Sequence, residues 1–125
     1  MGIHSHHFIY NFSRIEMTTN EVTNKLTKQI KDYIEKVGGY AERINVKGIR
    51  GRKSTNPGHP DIDCCFRGKS FKVEVKNSEK DTLNPNQQQF KRRYESAGGK
   101  VFIVWDLEIF QTDFKIWVCK FLTIK

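Results

Sequence analysis

The apolar positions of this chain change period several times, and each change marks an element. Val22, Leu26, Ile30, Ile34 and Val37 recur at steps of four or three, which predicts one helix with a single apolar stripe. Thr18 followed by Glu21 fits a capping box at its start, and Gly38-Gly39 supplies a stop. Residues 40–46 alternate weakly and predict a first strand. Residues 48–60 hold glycines, prolines and cations with no face to pack, so they predict a loop. In 61–66, Ile62, Cys64 and Phe66 share one face and Asp61, Asp63 and Cys65 the other. Arg67 to Ser70 predicts the turn of a hairpin. In 71–76, Phe71, Val73 and Val75 alternate strictly with Lys72, Glu74 and Lys76.

A polar loop over 77–85 follows, then a second helix over about 86–97, with Phe90 and Tyr94 four apart and Gly98-Gly99 after it. The run 101–105 is uniformly apolar and predicts a strand buried on both faces. Residues 114–122 predict a last strand, with Trp117, Cys119 and Phe121 on one face. The order is helix, three strands, helix, strand and a C-terminal addition, with no internal repeat. Residues 1–16 lack clean periodicity and read as a separable extension or leader, with Met17 a candidate internal start. His4, His6 and His7 in that stretch suit a solvated tail better than a metal site.

A chain of 125 residues suits one domain, and its limited burial leaves room for stabilisation in a dimer. No apolar run approaches the ~20 residues of a membrane span, and no secretory leader is visible. The three cysteines, two of them adjacent, argue against a disulfide framework or structural zinc and for a reducing compartment. That predicts a cytoplasmic location.

Charge changes the picture more. The chain carries 22 Lys and Arg against 14 Asp and Glu, a net charge of +8. Between residues 43 and 60 there are five cations (Arg43, Lys47, Arg50, Arg52, Lys53) and no acid, and Lys91-Arg92-Arg93 follows later. Clustered cations favour a polyanion such as nucleic acid, although a solvated charged face would look the same.

The candidate chemistry lies in Gly58-His59-Pro60-Asp61, Glu74-Val75-Lys76 and Gln87. Glu74 and Lys76 leave one face of a strand, and antiparallel pairing can bring Asp61 beside Glu74. Two such carboxylates repel unless a cation sits between them. Magnesium meets that need through oxygen ligands, with waters and phosphate oxygens completing its shell. A lysine beside the ion would stabilise charge on a phosphate undergoing hydrolysis. Pro-Asp as a plain turn, or Glu-x-Lys as a plain exposed face, is each the commoner reading alone. The ordered set in a basic chain is far more specific.

Over residues 21–105 the sequence resembles the VRR-NUC group of the PD-(D/E)XK nuclease superfamily, especially small stand-alone proteins of phage and bacterial genomes. The resemblance is carried by Gly-His-Pro-Asp at 58–61, Lys-Val-Glu-Val-Lys at 72–76, Leu-Asn-Pro-Asn-Gln at 83–87 and Gly-Gly-Lys-Val-Phe-Ile-Val at 98–104. It implies an α/β fold with a restriction-endonuclease-like core, a mixed sheet flanked by helices in the order αβββαβ. Residues 17–125 would form that single nuclease domain. It also implies a Mg²⁺-dependent endonuclease, with Mn²⁺ as substitute. Asp61, Glu74 and Val75 would hold the metal, Lys76 would be the catalytic lysine, and Gln87 would orient it or the scissile phosphate.

Glu21 matches an acidic position on the family's first helix, a candidate outer ligand, with the capping box as its equal alternative. Asp63 shares the face of Asp61 and could replace it, although the Pro-Asp motif points to Asp61, and Gln88 could replace Gln87 if the register slips. Lys47, Arg50, Arg52, Lys53 and His59 are the candidate DNA-backbone contacts. Branched DNA of the Holliday-junction type is the first expectation for substrate, cut by a homodimer in a bacterial or phage-infected cell. A flap or fork nuclease, or an inactive nucleic-acid-binding module, are the alternatives.

Overall fold

The architecture is taken from a computed structural model, which describes residues 17–44 and 57–123. The predicted leader 1–16 and most of the predicted loop 48–60 lie outside the described residues. Helix α1 spans Thr19–Lys36, and strand β1 spans Tyr40–Arg43. Strands β2 (Ile62–Phe66) and β3 (Lys69–Val75) form the hairpin. Helix α2 (Pro85–Ser96), strand β4 (Lys100–Val104) and helix α3 (Leu107–Thr123) complete the order. The sheet order is β1-β2-β3-β4, antiparallel across the first two pairs and parallel between β3 and β4. The parallel pair requires the crossover that α2 provides.

Alternate residues of β3 separate the two layers. Phe71 and Val73 are fully buried on one side, against Ile30 and Ile34 of α1 and Phe110 and Phe114 of α3. On the other side Ser70 bonds Tyr94, Lys72 lies over the Tyr94 ring and Glu74 bonds Gln87, so α2 covers this face. The buried layer is strongly aromatic: Phe71, Phe102, Phe110, Phe114 and Trp117 meet edge-on or tilted, with ring centroids 5.1–6.3 Å apart. Such pairs add about 0.5–1.5 kcal/mol each beyond the burial of their area.

The first helix agrees with its stripe, and its capping box forms as the spacing predicts. Val22 and Val37, at the two ends, stay partly exposed. The second helix starts with Pro85 in its first turn and a second capping box from Asn84 to Gln87. The hairpin turn is tighter than predicted. Arg67 and Gly68 alone turn the chain, both at positive φ (48° and 81°), and Lys69 and Ser70 already belong to β3. Such a pair matches the twist of the strands it joins.

The C-terminal strand expected over 114–122 is instead helix α3. Phe110, Phe114, Trp117 and Phe121 are spaced four, three and four apart, a helical period. A window opening at Phe114 hides the first turn, where the Asp106 carboxylate accepts the Ile109 N–H at 3.0 Å as an N-cap. Cys119, expected to lie inward with Trp117, is exposed. Cys64 is buried as expected, and burial pushes its thiol up to about 12. Among the described residues no helix is long and apolar enough to cross a membrane.

Candidate active site

Register assembles the site. Ile62 pairs with Val73 in an antiparallel ladder, so one residue further along, Asp61 falls beside Glu74. The Asp61 Oδ2 accepts the Val75 N–H at 2.7 Å, and its own carbonyl accepts the Ile44 N–H at 2.7 Å. Asp61 is thus held at the mouth of the sheet between β1 and β3. Glycine is required just before it. Gly58 has φ of +85°, and a Cβ there would lie 2.4 Å from the Asn86 carbonyl oxygen. The motif loop therefore passes directly over the first turn of α2, which brings Gln87 to the carboxylates.

Glu74 and Lys76 project on the α2 side of β3 and are nevertheless almost enclosed, at 6% and 8% exposure. Gln87 joins them. Its Nε2 donates to Glu74 Oε2 at 3.1 Å, and its Oε1 accepts from Lys76 Nζ at 2.9 Å and from the Asn84 N–H at 2.9 Å. The capping box thus fixes the amide that positions both charged groups. Asp81, in the loop before α2, lies 3.8 Å from Lys76 Nζ. Burial, and then the adjacent Asp61 carboxylate, push the Glu74 carboxyl up to about 8. This is a pair of acids in one low-dielectric site with too little positive charge for both to ionise.

These groups line a cleft of about 710 Å³ whose opposite wall is the first half of α1. Thr19, Asn20, Thr23 and Asn24 form that wall, and Arg43 reaches across to Asn24 Oδ1 at 2.6 Å. Glu21 does not line the cleft: it is exposed and bonded to Thr18 in the capping box. Asp63 is not an alternative to Asp61. It accepts from Lys72 and pairs with His59 Nε2 at 2.9 Å, and although burial works to raise its pKa, these bonds hold it below the ordinary 3.8. Gln88 turns away to the Leu83 carbonyl. His59 lines the cleft and sets its ring edge against Phe90 at 5.1 Å. Lys47, Arg50, Arg52 and Lys53 lie outside the described residues. In the second basic cluster, Lys91 pairs with Glu95 at 2.7 Å while Arg92 and Arg93 are exposed.

Sequence reasoning missed Asp81, Asn84 and the polar wall of α1. Asp81 sits in a loop without periodicity and gave no signal. The wall did leave one: Thr19, Asn20, Thr23, Asn24 and Thr27 repeat at helical spacing along one flank of the apolar stripe.

Among the described residues, no group of three or more His, Cys, Asp and Glu side chains converges. The donor set is two adjacent carboxylates and main-chain oxygen, with Val75 able to offer only its carbonyl. Magnesium, which takes one or two carboxylates and keeps several waters, fits it better than zinc or calcium. A sheet whose hairpin carries Pro-Asp at one mouth and Glu-Val-Lys beside it, with the crossover helix supplying a glutamine, is the arrangement of PD-(D/E)XK nucleases. The chain is similar over 76% of its length to a solved structure described as a VRR_NUC domain, of which it covers 94%, with 28% identity and a TM-score of 0.58. That likeness supports the VRR-NUC family, and the mixed α/β fold is consistent with the restriction-endonuclease-like fold of such nucleases. No protein-family model and no curated protein matches it.

Proposed function

We propose that this protein is a magnesium-dependent endonuclease that hydrolyses DNA phosphodiester bonds, acting as a homodimer on branched DNA. The observation that carries the hydrolytic reading is the single amide of Gln87 tying Lys76 to Glu74 at hydrogen-bond distance, with Asp61 beside them in one cleft. The ion, held by Asp61, Glu74 and the Val75 carbonyl, would polarise the scissile phosphate and lower the pKa of the attacking water.

The chain's own groups do the rest. The Lys76 ammonium, kept in place by Gln87, faces the charge that grows on the phosphate oxygens, and its near-complete burial strengthens that attraction. Asp61, anchored by the Val75 N–H, and Glu74, anchored by Gln87, cannot swing away from each other. Arg43, His59 and the Thr and Asn side chains of α1 line the approach and suit backbone contacts that orient DNA without reading sequence. The branched substrate follows from the resemblance to stand-alone resolvases, and two symmetric cuts require two sites related by a two-fold axis.

The experiment is cleavage of four-way, flapped and linear DNA with Mg²⁺, Mn²⁺ or EDTA, using wild type, Glu74→Ala and Lys76→Ala. Metal-dependent cutting of the four-way substrate, lost in both variants while binding persists, is the expected result. Binding without cutting in every metal would leave only a nucleic-acid-binding module. Cutting that survives either substitution would place the chemistry elsewhere.

A further inference from the structure

Among the described helices, α2 is the one with no fully buried side chain. Its sheet-facing residues are fastened by polar bonds: Gln87 to Glu74, the Tyr94 hydroxyl to Ser70, and Glu95 to the Val101 N–H. Beside them Asn86, Gln89, Phe90, Arg93 and Ala97 follow helical steps along a neighbouring face. With Pro57 these residues line a groove of about 440 Å³, within the ~300–1,000 Å³ of small-ligand sites. From Asn86 to Ala97 it runs about 16 Å along the helix, at about 1.5 Å per residue.

The groove adjoins the catalytic cleft. Gly58 and His59 line the cleft and Pro57 lines the groove, and the loop between them crosses α2 where Gly58 meets Asn86. The His59 ring edge meets Phe90 at 5.1 Å, and Phe90 stacks on Tyr94 with centroids 5.6 Å apart and planes 24° off parallel. Three rings thus step from the cleft wall into the groove. Phe90 lies about 5 Å along the helix from Gln87, between one and two steps of a strand rising about 3.4 Å per nucleotide.

The lining has the chemistry of a nucleotide site. Phe90 and Tyr94 are aromatic surface on which any base can stack. Asn86 and Gln89 are exposed amides, each both donor and acceptor toward a base edge. Arg93 is exposed and has no ion-pair partner among the described residues, while the nearby Glu95 is taken by Lys91. Its guanidinium is therefore free to meet a phosphate. Among the described residues no acid lines the groove, which suits an anionic occupant. An apolar peptide would leave Arg93 and both amides unmatched. A base within a duplex has its faces covered by its neighbours, so the occupant must be unstacked and unpaired.

We propose that the groove along α2 binds an unpaired nucleotide of a DNA strand leaving the cleft, with its base stacked on Phe90 and its phosphate on Arg93. This rests on the reading of the cleft as a DNA site, and it narrows the substrate to DNA with unpaired bases close to the cut.

Fluorescence anisotropy of the full chain in EDTA tests the groove without chemistry. The probes are a short single strand of mixed sequence and the same sugar-phosphate strand with abasic sites throughout. The wild type is expected to bind the strand with bases at least about fivefold more tightly. Phe90→Leu keeps an apolar side chain against His59 and should bring the two affinities together. Phe90→Tyr keeps a ring and should retain the preference. Arg93→Ala should weaken both strands alike and lower the salt slope by about 1. Equal affinity of the wild type for the two strands overturns the proposal, and so does a preference that survives Phe90→Leu. A base preference in a protein that cuts no DNA keeps the groove and ends the nuclease reading; cutting without the preference does the reverse.

Discussion

Replacing Glu74 by Gln keeps the shape and the acceptor that Gln87 uses, and removes only the titration. In the folded chain Glu74 holds its proton up to about pH 8, against 4.5 for an ordinary glutamate. Between those values the folded state binds a proton that the unfolded chain has already released. Stability must therefore fall as pH rises through this window, and the loss is complete above it. At about 1.4 kcal/mol per pKa unit, the cost of ionising Glu74 in the fold is on the order of 2–5 kcal/mol. At 6% exposure there is little solvent to screen it.

Urea unfolding in EDTA from about pH 5 to about pH 9 measures the effect. The two proteins should match at the acid end, and Glu74→Gln should become the more stable one as pH rises. Magnesium should then stabilise the wild type by about 2.7 kcal/mol at a hundred times its dissociation constant. It should do far less for the variant, which should also lose cleavage. A stability difference that stays constant with pH, or a wild type that gains stability toward alkaline pH, would refute a shared low-dielectric site for Asp61 and Glu74.

Gln87→Leu should reduce cleavage by about 10–100-fold while magnesium still stabilises the protein, because it frees Lys76 without removing a carboxylate; kinetics and thermal shift separate the two effects. Gly58→Ala should destabilise by at least about 2 kcal/mol, since the left-handed conformation and the 2.4 Å approach to Asn86 add together. Its thermal melt and its cleavage rate should fall in parallel. Phe114→Ala should cost about 3–5 kcal/mol in denaturant unfolding, a large share of a small domain's stability, because Phe114 touches aromatic rings from α1, β2, β3 and β4.

Local pattern alone carried much of this protein. The α1 stripe, its capping box, the hairpin alternation and the spacing from Asp61 to Glu74 to Gln87 are all legible in the sequence. Each depends on helical or strand period within a few turns of chain. Long-range packing decided the rest. Whether 114–122 coils or extends depends on which spacing reaches Phe71 and Phe102 across the sheet. Glu74 and Lys76 look like exposed charges on an amphipathic strand until α2 folds over them. Asp63 and Asp61 share one strand face in sequence, where only the Pro-Asp motif favours Asp61, and they diverge in the fold because Lys72 and His59 claim one while the Val75 N–H claims the other. Which carboxylate meets which neighbour is a matter of distance in three dimensions, and no period along one dimension encodes it.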